Sequence, residues 1–201
     1  MSELARWNER FTAPGYLFGT APNAFLKSQA HRLARGQTAL SIADGEGRNG
    51  VFLAEQGLDV LAIDFSPVAL EKSRALATER GVALKTEQVD IEQWRWPAAQ
   101  FDVVVSIFTQ FSAPDVRPRV FAGMTQTLKP GGLLLMQAYR PEQLKYATGG
   151  PKEVERLYTR ALLEAAFGDF AALDIREHDD MVQEGNGHAG MSALIDLVGT
   201  K

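Results

Sequence analysis

Three glycines that follow an apolar run near residue 40 have spacing with a clear chemical meaning. The segment reads Ala43-Asp44-Gly45-Glu46-Gly47-Arg48-Asn49-Gly50. Glycines in such a turn let the backbone bend sharply and let a ligand approach without meeting a Cβ atom. Gly45, Gly47 and Gly50 match the G-x-G-x-x-G fingerprint of dinucleotide-binding loops. An ordinary strand-to-helix turn explains the same residues without a ligand.

A carboxylate further along the chain favours the ligand interpretation. Asp64 ends a second apolar run, where an acidic residue can accept hydrogen bonds from the ribose hydroxyls of an adenosine. Asp64 can also serve only to cap the helix that starts near Ser66. Both common adenosine-bearing cofactor classes need a glycine-rich turn and such an acid, so these two features leave the class of cofactor open.

Few side chains outside this turn could move a proton. His31, His178 and His188 are the only histidines, and His31 is predicted to be a surface residue in a polar helix. His188 follows a turn-forming segment and Tyr139 ends an apolar run, so these two are weak catalytic candidates. The chain has no cysteine, which excludes thiolate zinc sites, and we predict no metal site.

The glycines and carboxylates need elements that hold them at one edge of a sheet. Apolar runs of strand length alternate with helical patterns, which is typical of a parallel sheet covered by helices on both faces. The predicted strands are Thr38–Ala43, Asp59–Asp64, Val82–Val89, Phe101–Phe108 and Leu133–Tyr139. The predicted helices span Arg48–Gln56, residues 66–81 and residues 116–128. Lys129-Pro130-Gly131-Gly132 is predicted to break the chain before the fifth strand.

The C-terminal part has a different pattern. Phe170–Glu177 and Ser192–Val198 are predicted strands joined through Glu184-Gly185-Asn186-Gly187, whose composition favours a hairpin turn. The complete prediction is an α/β fold with a Rossmann-like, doubly wound, mostly parallel seven-stranded sheet that ends in an antiparallel hairpin. Residues 147–152 are predicted to form an exposed loop.

Composition limits the partners. The formal net charge of −4 and pI near 5.4 give no basic footprint for nucleic acid. No segment reaches the roughly 20 apolar residues that span a bilayer, and residues 1–11 lack the unbroken apolar stretch of a signal peptide. We therefore expect a cytoplasmic protein with neither a nucleic-acid nor a membrane partner, and the sequence leaves its oligomeric state open.

Five separated motifs resemble those of class I methyltransferases that use S-adenosylmethionine (SAM), especially the small-molecule tellurite-resistance and thiopurine methyltransferases. In chain order they are residues 44–54, Asp64-Phe65-Ser66-Pro67, Val89-Asp90-Ile91, Phe101–Ser106 and Leu128-Lys129-Pro130-Gly131-Gly132. Their order and spacing hold from about residue 40 to residue 139. One such motif is weak evidence, whereas five in sequence are strong evidence.

The resemblance implies SAM as cofactor and assigns it a site. The turn from Ala43 to Gly47 would contact the methionine part, Asp64 would bind the ribose hydroxyls, and Asp90 with the Ile91 backbone would hold adenine. The cofactor-binding residues implied are Tyr16, Ala43, Asp44, Gly45, Glu46, Gly47, Arg48, Asp64, Phe65, Ser66, Asp90, Ile91 and Ile107. We expect one domain over residues 1–201, with a helical lid (1–36), a cofactor-binding core (37–140), and a substrate loop with the terminal hairpin (141–201).

The chain departs from the family pattern at three positions. Ser41 replaces the usual acid of the first strand, and Ala43 replaces the first glycine, so we expect a backbone conformation there that is open to alanine. Asp44 replaces a residue that is often small. Its carboxylate would either face the cationic end of the cofactor or only cap the next helix.

Transfer of a methyl group from SAM to a small-molecule acceptor, by in-line displacement, is the expected activity. An acceptor with a hydroxyl or amine would need a general base, whereas a thiolate would not. Trp7, Tyr16 and Phe18 either cover the cofactor or only pack a helix against the sheet, and the segment Pro141–Tyr158 is expected to form a mobile cover over the acceptor. The alternatives are an NAD(P)-binding oxidoreductase and a non-catalytic SAM-binding protein.

Overall fold

The computed structural model describes residues 2–185 and 187–201, except for the side chain of His188. Seven strands form one sheet in the order β3-β2-β1-β4-β5-β7-β6. The strands are β1 (Thr38–Ile42), β2 (Asp59–Asp64), β3 (Lys85–Gln88), β4 (Phe101–Ile107), β5 (Leu128–Tyr139), β6 (Ala172–Glu184) and β7 (His188–Thr200). Strands β1 to β5 run parallel, and β7 lies antiparallel between β5 and β6. This topology confirms the predicted Rossmann-like sheet with an antiparallel hairpin.

Six α-helices are present in the described part of the chain. They are α1 (Glu3–Thr12), α2 (Ala24–Ser28), α3 (Arg48–Glu55), α4 (Pro67–Glu79), α5 (Arg117–Thr127) and α6 (Arg160–Phe167). Short 3₁₀ helices cover Ala30–Arg32, Pro141–Lys145 and Val154–Arg156. None of the described helices combines the length and the apolar character that a membrane crossing needs.

Local chemistry explains where α4 starts and ends. The Ser66 side chain accepts a hydrogen bond from the Ala69 amide at 3.1 Å, and Pro67 takes the first helical position. Gly81 lies just beyond the last turn with a positive φ of 67°, a conformation that glycine adopts at low cost. Since β2 ends at Asp64, the start of α4 stands directly beside that carboxylate.

Helices cover both faces of the sheet and so fix the strand ends. Successive residues of β4 point to opposite faces: Val104 packs in the core under α5 and α6, whereas Val103 and Val105 pack in the core under α2 and α3. All three valines are essentially inaccessible to solvent. The carboxyl ends of the parallel strands meet at one edge of the sheet, which is where ligands bind in such folds.

Two predicted strands differ in extent from those observed. Strand β3 is limited to Lys85–Gln88 rather than Val82–Val89, because the Val82 amide bonds to the Ala77 carbonyl and so belongs to the end of α4. Strand β5 starts at Leu128, so the predicted break at Lys129–Gly132 was wrong. Those residues form an irregularity within the pairing of β4 and β5, with Gly131 at a φ of 74°.

The terminal hairpin is longer than predicted. Strands β6 and β7 pair continuously from Ala172 opposite Thr200 to Glu184 opposite His188. Charged residues in the middle of β6 hid its strand character from the sequence pattern, because charged side chains are tolerated on an edge strand. The turn holds Gly185 and Gly187, while Asn186, which the sequence also placed there, lies outside the described residues. The extension carries the hairpin tip, defined as Glu184, Gly185 and Gly187, to the edge of the sheet where the glycine-rich turn lies.

Candidate functional site

Asp64 joins the glycine-rich turn to the start of α4. One of its oxygens accepts a hydrogen bond from the Gly45 amide at 2.9 Å and the other accepts from the Ser66 amide at 2.8 Å. Its side chain is buried, and burial raises the pKa of this carboxyl above its ordinary value. Each carboxylate oxygen still has a second lone pair that could accept a hydroxyl. Asp64 therefore holds the turn and keeps acceptor capacity for a ligand.

Ala43 adopts a conformation that alanine disfavours. Its φ is +47°, in the left-handed region that glycine enters freely and other residues enter at a cost. The expectation of a backbone open to alanine was therefore wrong. The strain stands at the end of β1, directly before the turn, and backbone strain of this kind is concentrated at ligand sites.

Asp44 points into the protein and caps helix α3. Its Oδ1 accepts from the Ser41 hydroxyl at 2.6 Å and from the Gly50 amide at 3.0 Å. Burial raises the pKa of this carboxyl to about 7, and the two hydrogen bonds oppose part of that rise. The bond to the Gly50 amide fits the predicted role at the start of α3, and contact with the cofactor stays a prediction. The carboxylate lies over Ser41, the position at which the family pattern has its acid.

Packing against neighbouring residues requires glycine at the second and third glycine positions of the turn, Gly47 and Gly50. A Cβ on Gly47 would lie 2.5 Å from the Ser73 hydroxyl, and a Cβ on Gly50 would lie 2.5 Å from an Asp44 oxygen. Neither position could therefore hold another residue without movement of its neighbours. Gly50 leaves space for the Asp44 carboxyl group, which accepts a hydrogen bond from the Gly50 amide.

Glu46 fastens an N-terminal strap, defined as residues 13–23, to the turn. Its Oε2 accepts from the Leu17 amide at 2.6 Å, and its Oε1 pairs with Lys72 Nζ at 2.8 Å. Lys72 also donates to the carbonyls of Ala13 and Gly15. The buried Glu46 carboxylate thus holds the strap directly and through a lysine.

Aromatic side chains of α1 and the strap pack beside the turn. Trp7 stacks on Phe11 with ring centroids 5.4 Å apart, and Phe18 lies 6.5 Å from both rings. A Cβ on Gly45 would lie 3.7 Å from the Phe11 ring, so Phe11, which the sequence analysis did not name, covers the turn. Tyr16 instead packs against α3 and α4, and its hydroxyl lies 3.5 Å from the Lys72 carbonyl oxygen.

A second set of bonds fastens the strap to the hairpin tip. Arg48 Nη2 lies 2.6 Å from Glu184 Oε2, and both side chains are 9% exposed. Asn23 donates from Nδ2 to Glu184 Oε1 at 2.8 Å and to Gln137 Oε1 at 2.7 Å. The Asn23 amide donates to Asn49 Oδ1 at 2.9 Å. Helix α3, the strap, β5 and β6 therefore meet in one buried polar network.

The hairpin tip also packs directly on the strap. A Cβ on Gly185 would lie 2.5 Å from the Leu17 carbonyl oxygen, and a Cβ on Gly187 would lie 2.2 Å from the Phe18 ring. The Gly187 amide donates to the Leu17 carbonyl at 3.1 Å. These contacts need glycine. Gly185 and Gly187 therefore allow both the hairpin turn and its contact with the strap.

Tyr139 ends β5 in a buried position. Its ring stacks on Phe108 with centroids 4.5 Å apart, and Phe108 has a strained φ of 55°. Burial, together with nearby Glu184, raises the pKa of the Tyr139 hydroxyl above its ordinary value. This hydroxyl keeps its proton at neutral pH and can donate but cannot act as a base. The side chain of the other catalytic candidate, His188, lies outside the described residues.

The predicted adenine segment lies at the end of β3. Asp90 is exposed; it accepts from the Glu92 amide at 3.0 Å and from Gln93 Nε2 at 2.7 Å, while Ile91 is buried. Ile107 is buried at the end of β4, and Phe65 is half-buried beside Asp64. These four residues stand at the same edge of the sheet as the glycine-rich turn, and their contacts with a cofactor stay predictions.

The segment after β5 is held at several points. Gln110 donates to the carbonyls of Tyr139 at 2.7 Å and Arg156 at 3.2 Å, and the Thr148 hydroxyl donates to the Met191 carbonyl. A Cβ on Gly150 would lie 2.6 Å from the Tyr139 ring. The loop at residues 147–152 is exposed or half-buried, as predicted, although Thr148 and Gly150 pack against neighbouring residues; its mobility stays a prediction. Gln110, which the sequence analysis did not name, joins β5 to this cover.

Comparison with known proteins agrees with this geometry. Residues 39–132 match a family model described as a methyltransferase domain. The glycine/sarcosine N-methyltransferase of Parasynechococcus marenigrum is 30% identical over 140 residues, which are 66% of this chain and 45% of that protein. The chain spans less than half the length of the curated relatives it matches.

Solved structures share the fold over nearly the whole chain. TehB from Haemophilus influenzae superposes with a TM-score of 0.72 and 16% identity, covering 98% of this chain and 66% of that one. The N-methyltransferase NodS from Bradyrhizobium japonicum, solved with S-adenosylhomocysteine (SAH), gives a TM-score of 0.70 and 14% identity, covering 98% and 97%. At these identities the likeness concerns the fold.

Proposed function

We propose that this chain, whose core is a class I SAM-dependent methyltransferase domain, transfers a methyl group from SAM to a small-molecule acceptor by in-line displacement. The observation that carries the proposal is the buried Asp64 carboxylate, which stands at the end of β2 and bonds the Gly45 amide of the glycine-rich turn. Asp64 could bind the ribose of either SAM or NAD(P), and the match of residues 39–132 to a methyltransferase domain supports SAM. The names of the matched relatives, which act on glycine and sarcosine, support a small acceptor.

The described residues fit this cofactor. Asp64 has lone pairs free for ribose hydroxyls, and the glycine-rich turn presents main chain without Cβ atoms at Gly45 and Gly47. The cofactor supplies a methyl group already activated by the positively charged sulfur. The protein then has to align the acceptor, and alignment contributes about 7–11 kcal/mol in well-oriented reactions.

Residues around the turn supply alignment and exclude water. Phe11 covers the turn, Phe18 packs beside Phe11, and Glu46 bonds the strap through the Leu17 amide. Phe108 and Tyr139 form a stacked wall at the ends of β4 and β5. The finer assignments, including the single domain over residues 1–201 and the cytoplasmic location, are part of the proposal.

Calorimetry with SAM, SAH and NAD tests the cofactor. We expect SAM and SAH to bind and NAD not to bind. Asp64→Asn should weaken SAH about tenfold or more, since a hydrogen bond to a charged group contributes about 1.5–3 kcal/mol. Asp59→Asn is the matched control, because Asp59 starts the same strand, is exposed, and pairs with Lys85. Binding of NAD alone would overturn the proposal.

Turnover of methyl-labelled SAM with thiol, amine, hydroxyl, selenium and tellurium acceptors tests the activity. Label should pass to at least one acceptor class at a rate that depends on the protein. A protein that binds SAH yet labels no acceptor would be the non-catalytic SAM-binding alternative.

A further inference from the structure

A cavity of about 750 Å³ lies between strands β6 and β7 and the strap with α2. Its apolar walls include Phe18 and Phe25 on one side and Leu194 and Val198 on the other. This volume lies within the 300–1,000 Å³ range of small-molecule sites. None of the roles given above to the described residues uses this space.

The cavity is separate from the proposed cofactor site. Among the described residues, none of the glycine-rich turn at 43–50 lines it, and neither do Asp64, Phe108 and Tyr139. The buried bonds of Glu184 with Arg48 and with Asn23 lie between the two places. A molecule held in this cavity is therefore not placed to receive the methyl group, and it would be a second ligand of the protein.

A buried carboxylate stands in the wall of the cavity. Asp196 is 8% exposed; its Oδ1 accepts from Gln137 Nε2 at 2.7 Å, and its Oδ2 lies 2.8 Å from His178 Nε2. When the imidazole is neutral, both partners are neutral donors, and each carboxylate oxygen keeps a second lone pair. Arg176, the cross-strand neighbour of Asp196, is exposed and forms no ion pair with it. Because a buried charge without a cationic partner is unfavourable, Asp196 favours a cationic ligand.

The other charges of the lining balance one another. Glu184 is paired with Arg48 at 2.6 Å. At the exposed rim, two aspartates stand with two arginines, namely Asp174, Asp180, Arg32 and Arg176. Exposed charges are also screened by salt far more than buried ones. The one negative charge that remains uncompensated is that of Asp196, which matches a ligand with one ammonium group near it.

We propose that this cavity is a second ligand site, that it binds a small organic cation through Asp196, and that its occupancy strengthens binding of the cofactor. The ammonium group donates to the remaining lone pairs of Asp196, and the hydrocarbon part packs between Phe25 and Leu194. Binding of the cation is independent of the proposed methyl transfer, whereas the effect on the cofactor rests on it.

Hydrogen bonds connect Asp196 with the cofactor turn. Gln137 donates to Asp196, and Asn23 Nδ2 donates to Gln137 Oε1 at 2.7 Å. The Asn23 amide donates to Asn49 Oδ1 at 2.9 Å, and Asn49 stands beside Gly50 at the start of α3. A cation on Asp196 therefore orders side chains that hold the strap to the turn, so that less conformational freedom is lost when the cofactor binds. Such coupling is reciprocal, and the cofactor strengthens cation binding by the same factor.

Calorimetry with simple amines tests the site. The probes are benzylamine, phenethylamine, putrescine and spermidine, with benzyl alcohol and benzoate as the neutral and anionic counterparts. At least one amine should bind more tightly than both counterparts. Asp196→Asn should weaken that amine about tenfold or more, since a hydrogen bond to a charged group is lost. Glu177→Gln is the matched control, because Glu177 is an exposed acid of β6 that does not line the cavity.

Two further measurements locate the bound amine. Ser28→Trp narrows the rim and should weaken the amine, whereas Lys27→Trp should not, since Lys27 is a neighbouring exposed residue outside the lining. In ¹⁵N-histidine spectra the amine should shift the resonances of His178, which contacts Asp196. The resonances of His31, which is exposed and does not line the cavity, should stay in place.

Amine titrations with and without SAH measure the coupling. SAH should tighten the amine about fivefold or more. Asn23→Ala should reduce this factor and leave the amine affinity of the SAH-free protein within about twofold, because Asn23 joins Gln137 to Asn49 without lining the cavity. Lys27→Ala is the control and should keep the full factor.

The outcomes separate this inference from the proposed methyl transfer. Failure of SAH to bind would refute methyl transfer and the coupling, while the amine titrations still decide the second site. The second site would be overturned by absence of amine binding, by equal affinity of wild type and Asp196→Asn, or by tighter binding of benzoate than of any amine. Equal amine affinity with and without SAH would overturn the coupling. Label passing from SAM to the amine in wild type and not in Asp196→Asn would make the cavity an acceptor site and overturn the inference.

Discussion

Ala43 holds a backbone conformation that its own Cβ opposes, so a smaller residue should relieve it. At a φ of +47° the penalty is about 1 kcal/mol or more. Ala43→Gly should therefore raise the free energy of unfolding by about 1 kcal/mol, seen in urea titrations as a higher midpoint with an unchanged slope. Ala39→Gly in the same strand should destabilise the protein. A destabilising effect of Ala43→Gly would refute strain at this position.

Asp44 should make stability depend on pH. Its pKa is raised to about 7 by burial, above the value near 4 of an unfolded aspartate. The folded protein therefore holds a proton that the unfolded chain has lost. The resulting stability is fully present below about pH 4, is lost as pH rises to about 7, and amounts to at most roughly 4 kcal/mol.

Urea titrations from pH 4 to pH 8 measure this effect. Asp44→Asn should flatten the decline in stability toward pH 7, because an amide does not titrate. Asp102 supplies a control of opposite sign, since its hydrogen bond from Lys129 lowers its pKa; this contribution is present when the carboxylate is ionised and is lost as pH falls. An unchanged decline in Asp44→Asn would show that other groups cause it.

Some residues of the candidate site could be predicted from local sequence, and others depend on contacts between segments far apart in the chain. Asp64 could be predicted from sequence because one position at the end of β2 defines it. Phe11 and Gln110 could not be predicted, because their roles depend on contacts with Gly45 and Tyr139 that no local sequence pattern encodes.

The strap depends on a few hydrogen bonds made by one buried side chain. Asn23 is 1% exposed and donates to both Gln137 and Glu184. Asn23→Ala would leave both acceptors without this donor, at an expected cost of about 1–3 kcal/mol. Hydrogen exchange should become faster in residues 17–24, measured by mass spectrometry of peptic fragments.

A neighbouring side chain gives the comparison for that variant. Gln29→Ala removes hydrogen bonds that are exposed to solvent, so stability and exchange in the strap should stay within experimental error. Equal effects of the two substitutions would show that Asn23 does not fasten the strap.

Elements whose signals are local were predicted well, and elements stabilised by their neighbours were not. Strand β2 matches its predicted range, and α4 begins at Pro67 after the Ser66 cap as expected. Strand β6 was predicted to end at Glu177 but continues to Glu184. Its extension is held by pairing with β7 and by the contact of Gly185 with the strap, and neither leaves a periodic signal in the sequence.

These connections join the cofactor turn to segments far away in the chain. Glu46 accepts a hydrogen bond from the Leu17 amide, and Asn49 accepts one from the Asn23 amide. Arg48 forms an ion pair with Glu184. Three residues of the segment 46–49 therefore bond both the strap and the hairpin tip. A ligand that orders this turn should also order the segments bound to it.

Hydrogen exchange with and without SAH measures that coupling. Exchange should slow in residues 16–24 and 182–185 as well as in residues 43–50, because local opening of the strap or the hairpin tip breaks bonds to the turn. In Arg48→Ala the slowing at 182–185 should become smaller without being lost, since Asn23 still bonds Glu184, while that at 16–24 persists, since Glu46 still bonds the Leu17 amide. Slowing confined to residues 43–50, 64–66 and 90–91 in the wild type would mean that the turn, strap and hairpin respond independently.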